Sequence, residues 1–227
     1  APRRRETPLH MRRFRFGGRA FWFLCYNTTV FGWFDREHTN TFPCGFKVWA
    51  PTPLMCRWFS NPPTCEGDVV EGQSVLELGS GVGMLGATLS ARAHRVVITD
   101  IDPSVLRAVT ANVSANAATN VRVERLAYGR DSAAAFRKSQ GCFDHIVGAD
   151  IIYGSSVVRP IIESVDELLT ADGLFSLGFV DRNDSFATEI ARATEEFGFE
   201  QPRPPFFLAQ ALGDVAPKAA EEKKGLA

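Results

Sequence analysis

Residues 75–86 read VLELGSGVGMLG. An apolar run over 74–78 stops at Gly79, Gly81 and Gly83, three glycines at alternate positions. This predicts a buried strand, a sharp turn and a helix over 83–92. Glycine lets the backbone turn tightly and approach a ligand at the positive end of the next helix. The same residues satisfy Gly81-x-Gly83-x-x-Gly86, a dinucleotide fingerprint, so the loop alone leaves the ligand open.

Downstream the pattern repeats. Apolar or β-branched runs at 95–99, 121–125, 143–148 and 173–180 predict strands. Helical spacing separates and follows them over 103–116, 131–139, 157–169 and 184–197, as in Val105, Leu106, Val109 and Val113. Repeated strand–helix alternation argues for an α/β fold. The expected form is a doubly wound, mostly parallel, Rossmann-like sheet with helices on both faces. Upstream, RRFRFGGRAFWFLCY at 12–26 places two β-prone arms around Gly17-Gly18, which predicts an N-terminal β-hairpin extension. Residues 28–42 and 61–72 read as loop, the former with a short strand. Pro51 and Pro53 set the start of an intervening helix near Pro53. After Gln201 come Pro202, Pro204 and Pro205, a short late strand at most over 206–209, and an Ala/Glu/Lys tail expected to be disordered.

The expected organisation is therefore a basic flexible arm over 1–11 and a hairpin and cofactor-lid segment over 12–60. A cofactor-binding core over 61–212 and a disordered tail over 213–227 follow. The chain has 227 residues, 45% hydrophobic and 22% charged, which suits a globular chain and excludes collagen and coiled coil. No run of roughly 18 apolar residues exists, so no membrane-spanning helix is expected. The formal net charge is −1, yet residues 1–20 hold seven Arg (Arg3, Arg4, Arg5, Arg12, Arg13, Arg15, Arg19) against Glu6 alone. Such an arm is either a solvated terminus or a contact for RNA or an acidic protein. The chain begins at Ala1 rather than Met, as a fragment or a processed chain does. Five scattered cysteines and four scattered histidines form no zinc spacing, so no metal is expected. Reduced thiols point to the cytoplasm, or also the nucleus.

Two acids discriminate between ligands. Asp100 follows the next strand about twenty residues after Gly79, where a carboxylate binds both ribose hydroxyls of NAD or of S-adenosylmethionine. Glu77, beside the loop, repels a pyrophosphate and complements a cationic cofactor, which favours S-adenosylmethionine. Asp102 reads as the cap of the helix that follows. A second constellation is GADIIY at 148–153. If its strand lies beside the glycine-loop strand, Asp150 and Tyr153 emerge at the same carboxyl edge, where they can orient an amine. Each also has a plain structural reading, as a helix cap and a packing aromatic.

ELGSGVG, VVITDID and VGADIIY together resemble the class I (seven-β-strand) S-adenosylmethionine-dependent methyltransferases. The Asp-x-x-Tyr element is similar to methyltransferase family 16, largely protein-lysine methyltransferases. The likeness runs from about Arg12 to Glu200 and includes the hairpin, the Gly45…Val48-Trp49 segment and the pair Asn112 and Asn116. The resemblance implies that Gly79, Ser80, Gly81 and Gly83, with Glu77, line the methionine part and ribose. Asp100 and Ile101 would meet the ribose, and Trp49 and Ala149 would touch the cofactor. Tyr128 stands where the family usually has an adenine-stacking Trp. Asp150 and Tyr153 would be catalytic. The prolines of Ala50-Pro51-Thr52-Pro53 depart from the family pattern, and the region after Glu200 is short for the usual closing hairpin.

The implied activity is methylation of a protein lysine by a monomer, on a substrate such as a chaperone or translation factor. Three alternatives remain at this point. One is a methyltransferase for RNA or a small molecule, although DIIY lacks the prolines expected where a flipped base is held. Another is a cofactor-binding module without turnover. The third is a nicotinamide oxidoreductase, which Glu77 and DIIY disfavour.

Overall fold

A computed structural model describes residues 9–26, 29–30, 44–60, 70–180 and 185–200. Most of the expected loops over 28–42 and 61–72, the late strand over 206–209 and the tail lie outside the described residues, as do residues 1–8 of the arm.

Strands β1 (His10–Phe16) and β2 (Arg19–Cys25) form the antiparallel hairpin. Gly17 and Gly18 turn it with φ of 51° and 79°, the two positive values that a tight two-residue turn requires. Two short strands, β3 (Thr29–Val30) and β4 (Val48–Trp49), pair in parallel, and helix α1 (Pro51–Ser60) follows. That helix starts two residues before the expected Pro53. Pro51 and Pro53 both lie in its first turn, where no N–H has an intrahelical partner to lose.

The main sheet has five parallel strands among the described residues. They are β5 (Ser74–Leu78), β6 (Arg95–Asp100), β7 (Val121–Arg125), β8 (Phe143–Ala149) and β9 (Leu169–Gly178). Their order is β7-β6-β5-β8-β9. The chain thus winds outward from β5 in one direction, then crosses to β8 and winds in the other. The reversal falls between β5 and β8, where Leu78 pairs with Gly148. That switch point is where open α/β sheets bind ligands.

Successive residues of β5 alternate between two cores. Val75 packs with the hairpin, α1, α2 (Met84–Leu89) and α3 (Pro103–Ala115). Leu76 and Leu78 pack on the other face, with α4 (Arg130–Gln140), α5 (Ser155–Leu168) and α6 (Phe186–Glu196). The last strand departs from expectation. α5 ends at Leu168, and β9 begins at once at Leu169 rather than at Gly173. Pairing then slips, from Phe143↔Leu169 to His145↔Leu174. Leu169 folds back over Gly173, where a Cβ would lie 2.7 Å from its side chain.

The hairpin is docked by side chains. Asn112 accepts from the Leu24 N–H at 2.6 Å and Asn116 from the Trp22 N–H at 2.8 Å. Their amides donate back to the carbonyls of the same two residues. Positions i and i+4 of a helix therefore serve positions i and i+2 of a strand. This gives the Asn pair its structural purpose.

Candidate active site

The glycine loop leaves β5 with Gly79, Gly81 and Gly83 at φ of 57°, 53° and 72°. At Gly79 the requirement is steric as well. A Cβ there would strike the Tyr128 Oη and come within 2.9 Å of Ile151 Cγ2. The loop is tied to its neighbour strand. Ser80 N–H donates to the Thr99 carbonyl at 2.8 Å, and Gly81 N–H donates to Asp100 Oδ2 at 3.1 Å. The other oxygen of Asp100 accepts from Asp102 N–H at 3.0 Å. Asp102 caps α3, accepting from the Ser104 hydroxyl and from Ser104 N–H, each at 2.7 Å, and these bonds hold its carboxyl below the usual range.

Glu77 points into the core. It is 1% exposed, and its Oε2 accepts from Gly86 N–H at 2.9 Å. Gly83, the N-cap of α2, has no side chain to offer, so a strand residue supplies the acceptor for the first turn. Burial pushes the Glu77 carboxyl up to about 8, opposed by the Gly86 bond and reinforced by Asp100.

On the next strand, Ala149 is half-buried and Asp150 adopts φ 58°, unusual for a residue with a side chain. Asp150 N–H donates to the Gly178 carbonyl at 2.6 Å, and its Oδ1 accepts weakly from Val180 N–H at 3.4 Å. Ile151 and Ile152 are buried, while Tyr153 is 67% exposed. The tetrad thus anchors two isoleucines in the core and presents an acid and a phenol on either side. Tyr128, half-buried, has its hydroxyl pushed up by burial and by the nearby Asp100 and Tyr153. Ile101 stands 54% exposed on the same rim.

A third element crosses this edge. The Cys44–Phe46 turn lies on the loop, with the Gly45 carbonyl 3.0 Å from where a Cβ on Gly81 would be. Trp49, half-buried, donates from Nε1 to the Cys44 carbonyl at 3.3 Å. Pro51 and Met55 then pack on Gly178, the residue whose carbonyl holds Asp150. The elements that carry the expected site residues therefore converge on one edge, although Glu77 faces the core beneath it rather than the crevice. Sequence reasoning passed over Lys47. It is buried beside Trp49, and its signal was a charge inside the apolar stretch GFKVW. Among the described residues no cluster of His, Cys, Asp or Glu is arranged to hold a metal, and no helix is long and apolar enough to cross a membrane.

Comparison with known proteins agrees with this geometry. A family model described as "Lysine methyltransferase" matches residues 34–194. Protein N-lysine methyltransferase METTL21A of Danio rerio is 29% identical over 151 residues, covering 63% of this chain and 65% of that protein. EEF1A lysine methyltransferase 3 of Xenopus tropicalis is 30% identical over 123 residues, covering 53% and 51%. The chain thus spans about half to two thirds of the length of these relatives. The crystal structure of SMU.776, a candidate methyltransferase complexed with SAH, superposes with a TM-score of 0.57 at 13% identity. It covers 81% of this chain and 46% of that one, a likeness of fold alone.

Proposed function

The chain belongs to the lysine methyltransferase family, and from that premise we propose that it methylates a lysine side chain of a protein, using S-adenosylmethionine. The observation that carries the reading is the adjacency of β5 and β8. The glycine loop and the Asp150–Tyr153 tetrad leave the sheet side by side, at its switch point.

The residues fit the cofactor. Each Asp100 oxygen accepts one backbone N–H and keeps a lone pair for a ribose hydroxyl. Ser80 Oγ is buried in the loop without a partner, a polar atom that a ligand can satisfy. Gly79, Gly81 and Gly83 let the backbone lie against the methionine part. Ile101, Tyr128, Ala149 and Trp49 supply the apolar walls. When bound, the cofactor supplies an electrophilic methyl group on a sulfonium.

The chain's own residues then have to position a neutral amine on the methyl axis and keep water out. A lysine ammonium enters with an ordinary pKa near 10.4 and must lose a proton to become nucleophilic. Asp150 accepts hydrogen bonds from the amine's remaining hydrogens and fixes its direction. Its positive φ is a backbone strain of the kind that concentrates at functional sites. Tyr153 forms the outer wall. Glu77 adjusts to a cationic ligand by releasing its proton, since a nearby positive charge favours the ionised form.

The Xenopus relative is an EEF1A lysine methyltransferase by name. That supports a translation factor as the substrate class, ahead of a chaperone. Four described cysteines, Cys25, Cys44, Cys56 and Cys142, are free thiols, which favours a reducing compartment such as the cytoplasm.

A tritiated-methyl transfer assay on hypomethylated lysate tests the reading, with Asp150→Ala as control and half of each sample treated with RNase. The expected result is a discrete RNase-resistant protein band, weaker by roughly 100-fold or more with Asp150→Ala. Label that disappears with RNase, or no transfer despite tight cofactor binding, overturns it.

A further inference from the structure

Lys47 is 4% exposed, and its Nζ is buried with no hydrogen-bond partner. What faces it is the Trp49 ring, 5.7 Å from the nitrogen. A cation–π contact returns only part of what an ammonium loses on leaving water, unless an anion answers it. Among the described residues, the other buried side-chain atoms without a partner belong to Gln73, Ser80, Gln140 and His145. Gln73, Gln140 and His145 lie toward the amino end of the sheet and are neutral, His145 because burial lowers it to about 4. Lys47 is the charged member of this set, and only Ser80 shares its end of the sheet.

Its position is fixed from both sides. Two residues before it, Gly45 rests on Gly81 and on Val105 at the start of α3. Four residues after it, Pro51 rests on Gly178, which holds the Asp150 N–H. Within β4, Val48 is buried in the core, so Lys47 and Trp49 share the opposite side of the run. Lys47 therefore belongs to the strap between the glycine loop and Asp150.

We infer that Lys47 is the anion anchor of this site, binding the α-carboxylate of S-adenosylmethionine; this rests on the cofactor reading above. The cofactor carries one anionic group and two cationic ones. Asp100 and Asp150 on the sheet side suit the cationic groups and repel the carboxylate. The strap opposite them presents the buried ammonium. Occupancy by the carboxylate completes an ion pair that the free chain lacks.

The test is calorimetry on the full chain with two ligands, S-adenosylmethionine and its decarboxylated form, which differ by that carboxylate alone. Wild type should prefer S-adenosylmethionine by about 10- to 100-fold, the range of a charge-assisted bond. In Lys47→Met that preference should collapse, through loss of affinity for S-adenosylmethionine while the decarboxylated ligand binds as before. Unchanged binding of the second ligand also reports that the variant is folded. Without ligand, Lys47→Met should melt no lower than wild type, because an uncompensated buried charge has been removed. If Lys47→Met binds neither ligand, Lys47→Arg, which keeps the charge, should retain the preference, and its failure to do so counts against the anchor. A Lys47→Met variant that keeps the full preference overturns the inference, as does a wild type that binds both ligands equally. A wild type that binds neither overturns the cofactor reading itself.

Discussion

The two ends of the central sheet treat acids in opposite ways. At the amino end, Asp144 accepts from both the N–H and the hydroxyl of Ser74, at 2.9 and 2.7 Å, and is held below the ordinary carboxylate range. At the carboxyl end, Glu77 has one backbone donor and is pushed up to about 8. The first is satisfied by its own neighbours and has nothing left to answer. The second is held near neutrality by burial, where an arriving cation can ionise it. The positive φ of Asp150 falls at this second end, beside the glycine loop. The sheet closes its chemistry at one end and leaves it open at the other.

The contrast can be broken most severely at Gly79. Gly79→Ala adds a clash with Tyr128 to an unfavourable φ and should cost roughly 3–5 kcal/mol, together with cofactor binding. Tyr128→Phe in the same chain removes the clashing oxygen and should recover part of the melting temperature. No recovery would mean that φ alone sets the cost.

The amino half of the sheet has its own titration. His145, 0% exposed, is lowered by burial from 6.5 to about 4, with Ser176 Oγ 2.8 Å from its Nε2. The unfolded chain binds this proton first, so stability is full above pH 6.5 and falls as the pH drops toward 4, by about 3 kcal/mol in all. Urea unfolding at pH 4.5 and 7 should show that loss, and His145→Gln should flatten it.

Glu77 has the reverse sign. Its folded pKa is raised, so the unfolded chain ionises first and stability falls as pH rises from 4.5 toward 8. Glu77→Gln keeps an acceptor for Gly86 and should stabilise the free chain by about 1–3 kcal/mol at pH 8, with little gain at pH 4.5. Calorimetry in buffers of different ionisation enthalpy should also detect proton release on binding S-adenosylmethionine, absent in Glu77→Gln. Equal stability gains at both pH values would mean that this acid is ionised in the free chain.

The smallest effect belongs to Asn116, which follows the last turn of α3. Asn116→Ala removes both bonds to Trp22 and should cost about 1–2 kcal/mol by thermal melting. Asn112, fully buried and also bonded to the Val82 carbonyl, should cost more.

Much of this was legible in the sequence because it is local. Three glycines after an apolar strand and a cap at Asp102 each state their geometry within a few residues. Other features depend on partners remote in the chain. The direction of Glu77 is decided by a helix turn nine residues on, and the Asn pair answers a strand 88 and 94 residues away. Lys47 shows in the sequence only as a charge inside GFKVW, and its burial depends on how Trp49 and the loop close around it. The slip between β8 and β9 depends on where Leu169 finds room, which no periodicity records.

The paired asparagines have a further consequence, for self-association. A two-stranded ribbon ordinarily exposes a free rim of backbone donors and acceptors, a template on which another chain can grow. Here the rim of β2 at Trp22 and Leu24 is already filled by amide groups rooted in a helix. A helix cannot extend a sheet, so it ends the ribbon. The arginine-rich hairpin can display Arg13 against an exposed Trp22 without offering that rim as a seed for aggregation.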